Sequence, residues 1–282
     1  MKHSEIELQM IANELRMDVM EMAPRSGNAI HVGPAYSCAD ILTVLYYELM
    51  NIDPKNPNWE DRDRFIISKG HATPVLYALL AKLGYYDREE LWNIKNLGSI
   101  LQGHPCMNKT PGIDMTSGSL GNGLSIGLGM ALSLKQQKKK SEVYVLLGDG
   151  EFQEGMVLEA MMAAPAKKAD NLVAIMDYNH HQSSGSVEDI MPLHSLADKW
   201  RSFGWRVFEI DGHNIPEIYS RLTMAKNYEG CPTCIIAHTI KGKGVSFIEH
   251  NNAWHAKMPT AEECEKALQE LKATNETLAK KL

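Results

Sequence analysis

The sequence predicts an α/β fold, namely a single doubly wound parallel sheet with helices on both faces. Short apolar runs of strand character, such as VYVLL at 143–147 and LVAIM at 172–176, alternate with longer segments whose apolar residues have helical spacing. This alternation is typical of βαβ units, in which helices cover a parallel sheet. The 282 residues, 44% of them hydrophobic, are enough for one large core. Because the pattern contains no internal repeat and no evident linker, we expect residues 1–282 to form one domain.

The individual elements follow from capping residues and from the spacing of apolar side chains. Ser4 with Glu7 is a capping-box pattern that begins an N-terminal helix, and Thr260 with Glu263 begins a C-terminal helix over 260–281. Between them we predict helices near 37–50, 72–83, 119–135, 154–168, 195–203 and 215–227, and strands at 143–147, 172–176, 206–210 and 233–237. The helices between successive strands provide the crossovers that a parallel sheet requires.

Charge and hydropathy argue against several classes of protein. The net charge is −6, and the only run of like charge is Lys138-Lys139-Lys140, so a nucleic-acid surface is not expected. No apolar signal region follows the N-terminus and no stretch of about 18 apolar residues occurs, so we expect neither secretion nor a membrane span. The cysteines, at positions 38, 106, 231, 234 and 264, are odd in number and scattered. They fit a reducing compartment, and we therefore expect a cytoplasmic protein.

The segment GDGEFQEG, at 148–155, places one carboxylate at the end of a predicted strand. Asp149 lies between two glycines, and Asn179 follows the next predicted strand along the chain. Ligands of an open parallel sheet bind beyond the carboxyl ends of the strands, so one crossover brings both side chains to one crevice. Their oxygens suit Mg²⁺ or Ca²⁺, and the helix start after Gly150 favours a diphosphate. A turn without function would use the same residue types, because Gly and Asp are common in turns.

A GDG motif followed at this distance by Asn resembles the thiamine diphosphate motif, and the surrounding segments resemble transketolase. The resemblance runs from about residue 10 to 258 through DRFIISKGHA, QGHP, TSGSLGNGLSIGLGMA, GDGEFQEG, MDYNHHQ, IIAHTIKGKGVSF and WH. It implies the diphosphate domain of the thiamine diphosphate-binding fold. It also implies thiamine diphosphate and Mg²⁺ as cofactors, with Ca²⁺ or Mn²⁺ as possible substitutes for the metal. The implied reaction transfers a two-carbon ketol unit from a ketose to an aldose.

The resemblance covers only the first part of a full-length transketolase. It implies the N-terminal subunit of a split transketolase, whose active site is completed by a second subunit with the pyrimidine-binding domain. In the family, that domain carries the glutamate that protonates the aminopyrimidine. We therefore expect a C-terminal, pyrimidine-domain partner, an α2β2 heterotetramer, and no activity of this chain alone. Neither nucleic acid nor a membrane is an expected partner.

Carried onto this sequence, the resemblance assigns roles to a set of site residues. The expected metal ligands are Asp149, Asn179 and the backbone carbonyl of His181. The expected cofactor neighbours are His71, Gly118, Leu120, Gly150, Glu154, Asn179 and His255. Glu154 and Glu159 could by themselves be surface charges, but the resemblance places both near a subunit contact.

Four histidines from separate segments are the expected catalytic residues: His31, His71, His104 and His255. A single histidine in a loop is more often structural, but all four fall on positions of the family motifs. The resemblance implies that they transfer protons and bind the sugar hydroxyls and the developing oxyanion. Imidazole suits this work because its pKa is near neutrality and both of its nitrogens take part.

Two further patterns could suggest metal chemistry. Cys231 and Cys234 have CxxC spacing, but no second pair follows and the segment begins a predicted buried strand. His180 and His181 are adjacent at the end of a predicted strand, so their side chains should point apart. We expect neither pair to bind a metal.

The loop before His31 and position 184 depart from the family pattern. Asn28-Ala29-Ile30 intervene between an SG pair and His31, where family members usually pass directly to the histidine. Ser184 stands where family members tend to carry an acidic residue. These differences leave the donor and the acceptor open. The alternatives are ordinary sugar phosphates, a sulfonated ketose such as sulfofructose, and a branched-sugar phosphate such as apulose phosphate.

Other functional classes are alternatives to transketolase. The α subunit of a 2-oxo acid dehydrogenase shares the cofactor motif but would lack the histidines of SKGHA and QGHP. A deoxyxylulose-phosphate synthase would carry a larger insertion between these motifs and continue in one chain. A non-catalytic assembly protein would be expected to have lost metal ligands or histidines. A zinc hydrolase would need HExxH or a comparable ligand spacing, which does not occur.

Overall fold

Five parallel strands form one sheet in the computed structural model, which describes residues 1–282. The strands are β1 (Arg64–Ile67), β2 (Val143–Gly148), β3 (Leu172–Tyr178), β4 (Arg206–Asp211) and β5 (Thr233–His238). Their order is β1-β2-β3-β5-β4, and every neighbouring pair is parallel. The carboxyl ends of β2, β3 and β5 therefore lie side by side at one edge of the sheet.

Ten α-helices surround the sheet. They are α1 (Glu5–Ser26), α2 (Val32–Ser37), α3 (Ala39–Val44), α4 (Thr73–Leu83), α5 (Asn122–Gln136), α6 (Gly155–Ala166), α7 (Val187–Ile190), α8 (Leu196–Ser202), α9 (Ile215–Lys226) and α10 (Ala261–Ala279). Both predicted capping boxes are present, at Ser4 with Glu7 and at Thr260 with Glu263. None of the helices combines the length and the apolarity needed to cross a lipid bilayer.

Two apolar layers cover opposite faces of the sheet. Tyr144 and Leu146 of β2 belong to one buried cluster, which includes side chains of α1, α3, α4, α9 and α10. Val143 and Val145 belong to a second cluster, which includes side chains of α5, α6 and α8. Successive side chains of a strand point to opposite faces, so an apolar run without alternation has to be covered on both sides. The predicted doubly wound sheet is confirmed.

Two predictions about elements are wrong. The helix expected near 37–50 begins instead at Val32, is interrupted at Cys38, and ends in one π-helical turn over Leu45–Leu49. Nearly all residues of this segment are buried, so apolar spacing does not mark one face or a starting point. The sequence pattern also does not predict β1, because four residues give too little periodicity to distinguish a strand.

Candidate active site

Asp149 follows the last residue of β2 and precedes the 3-10 turn Gly150–Gln153 that leads to α6. Its side chain is buried, and Oδ1 accepts a hydrogen bond of 2.8 Å from the N–H of Gly150. Oδ2 has no hydrogen-bond partner. Burial, together with the nearby Asp177 carboxylate, raises the pKa of Asp149 to about 7. A buried carboxylate oxygen without a donor is suited to a cation.

Asn179 and His181 lie beyond the end of the neighbouring strand, β3. The Asn179 amide is buried, and its Oδ1 accepts a hydrogen bond of 3.1 Å from the N–H of His181. Its Nδ2 donates to Ser37 Oγ at 3.4 Å. Because the Ser37 hydroxyl already donates to Asp177, it accepts from Asn179, and this contact assigns the nitrogen and the oxygen of the amide. No donor of the chain pairs with the backbone carbonyl oxygen of His181. Both residues line the same cavity as Asp149.

These oxygens fit the expected cation and diphosphate. Carboxylate, amide and carbonyl oxygens are hard ligands, which suit Mg²⁺ and are poorly suited to zinc. The three residues line one cavity of about 280 Å³, whose wall also includes His71, Leu120, Gly150, Glu154 and His255. A Cβ added at Gly150 would be 2.9 Å from Gln182 Cβ, so the wall has no room for a side chain there. The N–H of Gly150 is already donated to Asp149, so a diphosphate would have to share that donor.

A buried ion pair that the sequence motifs do not reveal lies beside the cavity. The ammonium of Lys69, just after β1, pairs with the Asp177 carboxylate of β3, and both side chains are almost fully buried. Ser37 Oγ donates to the same carboxylate at 2.5 Å, and Thr239 Oγ1 donates to its other oxygen. Since Ser37 also accepts a hydrogen bond from Asn179, the pair holds an expected metal ligand in place. Removing one partner of such a buried pair costs about 3–5 kcal/mol.

Lys241 is a second buried cation that the sequence motifs do not reveal. Its Nζ donates to the Gln182 carbonyl at 3.1 Å and to Asn252 Oδ1 at 3.0 Å. Burial lowers the pKa of this lysine to about 8. Lys69 and Lys241 share a signal in the sequence, because each comes within a few residues of the carboxyl end of a strand, in SKG and TIKG.

Three of the four expected catalytic histidines form one cluster. The ring centroids of His31 and His71 are 5.4 Å apart, those of His31 and His255 5.4 Å, and those of His71 and His255 5.1 Å. The N-terminal and C-terminal segments meet here through Ile30 and Lys257, whose backbone groups exchange hydrogen bonds of 3.3 and 3.1 Å. We call His31, His71 and His255 the histidine cluster.

His104 lies against the glycine-rich loop before α5. A Cβ added at Gly118, which has a φ of +136°, would be 3.0 Å from His104 Cγ. A Cβ added at Gly70 would be 2.9 Å from Gly118 Cα, so the SKGHA and TSGSLG loops pack backbone against backbone. This contact explains why both positions are glycine. Leu120, on the same loop, is partly exposed and lines the cavity.

Desolvation favours the neutral form of all four histidines, most strongly for His31, His71 and His255. It lowers the pKa of His31 and of His255 to about 4 each, and the pKa of His71 well below its ordinary value. The pKa of His104 is also lowered by burial, although this side chain is more exposed. Neutral imidazole both donates and accepts a hydrogen bond, so the four rings are suited to proton transfer and to binding hydroxyl groups.

Glu151 connects three loops around the cavity, and the sequence motifs give it no role. This carboxylate is buried and accepts hydrogen bonds from Ser68 Oγ, from the N–H of Gly121 at 2.8 Å and from the N–H of Gly148 at 3.0 Å. The two glutamates that follow it along the chain, Glu154 and Glu159, are exposed. Glu154 lines the cavity, and Glu159 is exposed on α6.

The cysteine pattern lies within and before β5, and the two adjacent histidines have different neighbours, although His181 lines the cavity. Cys234 is buried in β5 and Cys231 precedes that strand. The His180 ring packs 4.1 Å from the Tyr178 ring, whereas the His181 ring lies 6.1 Å from that of His250, so the two side chains have different neighbours. No group of three or more His, Cys, Asp or Glu side chains comes together in a way that could hold a metal ion. The oxygen set at Asp149 is of another kind, because only one of its side-chain ligands belongs to those residue types.

Comparison with known proteins identifies the relatives of this chain. Residues 7–277 match the family described as "Transketolase, thiamine diphosphate binding domain". The 6-deoxy-6-sulfo-D-fructose transketolase subunit SqwG of Clostridium sp. (strain MSTE9) is 45% identical, over 96% of this chain and 98% of that protein. An apulose-4-phosphate transketolase subunit of Phocaeicola vulgatus is 42% identical, over 98% of this chain and 96% of that protein.

Longer proteins match only in part. Transketolase of Rattus norvegicus is 40% identical over 92% of this chain, which corresponds to 41% of the rat protein. The crystal structure of transketolase from Campylobacter jejuni superposes with a TM-score of 0.88 at 32% identity. It is matched by 98% of this chain, which spans 46% of its length. The whole described fold, including the edge with the cavity, thus has a counterpart in solved structures.

Proposed function

The chain belongs to the transketolase family, and from that premise we propose that it is the N-terminal subunit of a split transketolase, with residues 1–282 acting as its diphosphate domain. Its reaction would transfer a two-carbon ketol unit from a ketose to an aldose. The observation that carries the proposal is the position of the histidine cluster beside the unpaired Oδ2 of Asp149. The family membership also favours transketolase over the α subunit of a 2-oxo acid dehydrogenase.

The residues of the cavity would divide the work between holding the cofactor and moving protons. Asp149 Oδ2, Asn179 Oδ1 and the His181 carbonyl would hold Mg²⁺, or Ca²⁺ or Mn²⁺ in its place. Lys69, which lines the cavity, and Lys241, which donates to the carbonyl of the cavity residue Gln182, would supply positive charge near a diphosphate. Thiamine diphosphate, when bound, supplies a carbon nucleophile and an electron sink for cleaving the bond next to a ketose carbonyl.

The histidines act on the sugar. His71 and His255 line the cavity and His31 contacts both rings, so neutral imidazoles are available to take a proton from one hydroxyl while binding another. His104 would bind a hydroxyl from the side of the glycine-rich loop, next to Gly118. Because all four rings are kept neutral by burial, none has to lose a proton before it can accept one.

A partner subunit with the pyrimidine-binding domain is part of the proposal. The relatives that match this chain over nearly their full length are named as subunits, and α2β2 is the assembly that we propose. Helices α5 and α6 pack together and expose four large apolar side chains: Ile126, Met156, Leu158 and Met162. Exposed apolar groups on adjacent helices are typical of an assembly surface. The cytoplasmic, reducing location predicted from the cysteines belongs to the same proposal.

The substrates proposed are sugars with an anionic group. The two subunit relatives are named for a sulfonated ketose and for a branched-sugar phosphate, so both types are candidate donors beside the ordinary ketose phosphates. Residues 28–30 immediately precede His31, and we propose that they reshape the substrate side of the site. We therefore expect a preference within this class that differs from that of a full-length transketolase.

The test is a ketol-transfer assay with thiamine diphosphate and Mg²⁺. Donors would include ketose phosphates, apulose 4-phosphate and 6-deoxy-6-sulfofructose, each supplied to this chain alone and to this chain mixed with a pyrimidine-domain subunit encoded nearby. Activity only in the mixture is expected. Activity of the chain alone would overturn the requirement for a partner. If the mixture binds the cofactor but transfers no ketol unit from any donor, the proposed reaction is wrong.

A further inference from the structure

Lys95 is an exposed cation that lies next to the segments of His31 and His104 and has no carboxylate partner. None of the ion pairs in the structure includes this residue. The residue is exposed, and partial desolvation lowers its pKa, with no acidic group acting in the other direction. Its backbone has a φ of +66°, a conformation that costs a non-glycine residue about 1 kcal/mol or more. The chain therefore holds a charged side chain in an unfavourable backbone conformation at this position.

The ammonium of Lys95 lies between the segments that carry two of the expected catalytic histidines. Its Nζ donates a hydrogen bond of 2.6 Å to the carbonyl of Ala29, two residues before His31. Its Cε would be 3.1 Å from a Cβ added at Gly103, the residue before His104. A side chain at position 103 would therefore push the lysine away, and glycine leaves the space that the lysine occupies.

The backbone around Lys95 is closed into a loop and tied to the extra residues before His31. The N–H of Lys95 donates to the Leu101 carbonyl at 2.8 Å. Asn28 Nδ2 donates to the Ile94 carbonyl at 3.1 Å and to Asn96 Oδ1 at 2.9 Å. Residues 28–30 and 94–96 thus form one hydrogen-bonded unit, which we call the Lys95 clamp.

Different lysines affect the pKa values of the four histidines. Besides burial, the positive charge of Lys95 contributes to the lowered pKa of His31 and of His104. For His71 the charge that adds most to the effect of burial on the pKa is that of Lys69, and for His255 it is that of Lys241, with smaller contributions from neighbouring histidines. Lys95 therefore acts on His31 and His104, whereas Lys69 acts on both His71 and His255.

We propose that Lys95 binds the anionic group, a phosphate or a sulfonate, of the sugar substrate, and that it is a specificity-determining residue contributed by this subunit. The inference rests on the proposed function, because it takes the reacting carbons to lie near His71 and His255. A sugar whose reacting end lies near His71 and His255 would extend past His31 and His104 toward Lys95. Ammonium and a phosphate or sulfonate oxygen form a charge-assisted hydrogen bond, for which Nζ has two donors besides the one given to Ala29.

The experiment compares the assembled enzyme with its Lys95→Met and Lys95→Arg variants on matched donors. The donors are fructose 6-phosphate, 6-deoxy-6-sulfofructose and unmodified fructose, which differ at the terminal group. We expect Lys95→Met to lower kcat/KM about tenfold for the anionic donors, mainly through KM, and to leave fructose unchanged. Lys95→Arg should retain most of the preference. Lys109→Met, at an exposed lysine of the following loop, is the matched control and should match the unmodified enzyme.

The outcomes separate the possible roles of the lysine. A loss for the phosphate, for the sulfonate or for both, with fructose unchanged, supports the inference, and the larger loss identifies the natural anion. An equal loss for all three donors would mean that Lys95 only orders the clamp, and no loss at all would mean that the anion lies elsewhere. Either result overturns the inference. If no donor is turned over, the proposed function fails, and calorimetric binding of fructose 6-phosphate then tests the role of Lys95 by itself. Weaker binding by Lys95→Met than by the unmodified enzyme supports that role, and equal binding overturns it.

Discussion

The histidine cluster should make the folded chain sensitive to mild acid, and His31→Gln should remove part of that sensitivity. Folding lowers the pKa of His31 from about 6.5 to about 4. As the pH falls through this window, the unfolded chain takes up a proton that the folded chain excludes. The free energy of unfolding therefore decreases as the pH decreases, and this loss begins below about pH 6.5.

The size of the effect follows from the two pKa values. A histidine with a pKa of about 6.5 when unfolded and about 4 when folded loses about 2 kcal/mol of stability between pH 7 and pH 5. His255, whose pKa is also lowered to about 4, contributes a similar loss. In His31→Gln the difference in unfolding free energy between pH 7 and pH 5 should therefore shrink by about 2 kcal/mol.

The assay is urea unfolding at pH 7, 6 and 5, followed by circular dichroism. Each variant is compared with itself across pH, so a general cost of the substitution cancels. His104→Gln is the graded comparison, because that side chain is more exposed and a smaller recovery is expected. If His31→Gln loses as much stability between pH 7 and pH 5 as the unmodified chain, His31 is not kept neutral by burial and the reasoning is wrong.

Three other changes test the site and its support. Asp149→Asn should abolish Mg²⁺-dependent binding of thiamine diphosphate in the assembled enzyme, measured by calorimetry; an unchanged affinity would contradict the metal assignment. Gly123→Ala would place a Cβ 2.2 Å from Ser68 Oγ and should destabilise the chain by about 2 kcal/mol. Gly129→Ala, with open space around the added Cβ, is the control and should not destabilise it. Equal melting temperatures of the two variants would count against the close packing at Gly123. Burial and Asp63 raise the pKa of Glu142 from about 4.5 to about 8, so its cost to stability appears as the pH rises through this range. Glu142→Gln should therefore narrow the difference in unfolding free energy between pH 6 and pH 9 by about 2.5 kcal/mol. An unchanged urea profile would refute this.

The parts of the fold that the sequence predicts are those with long or strongly capped patterns. The capping boxes at Ser4 and Thr260 locate the first and last helices because they depend on residues only three apart. The break at Cys38 is different, because it depends on how α2 and α3 pack against helices distant in sequence. Local propensity contains no record of such contacts, so the prediction of one continuous helix fails there.

The candidate site also divides into residues that motifs predict and contacts that only the tertiary fold shows. Motifs identify Asp149, Asn179 and the four histidines, and the structure brings them to one edge of the sheet. They do not reveal the ion pair of Lys69 with Asp177 or the three-loop contact of Glu151, because each joins side chains that are far apart along the chain. A buried charge is recognised only when its partner is known, and the partner is a property of the tertiary fold.

The pairing of Ile30 with Lys257 also has a consequence for biosynthesis. A growing chain of some 250 residues already contains every expected metal ligand, yet it lacks His255 and the strand contact that joins the two termini of the site. At about 5–20 residues per second, synthesis leaves this partial protein on the ribosome for many seconds after His31 has emerged. Because the proposed site includes His255, cofactor capture would have to wait until that residue has left the ribosome, and a chain truncated before residue 255 would keep much of the sheet without the histidine cluster.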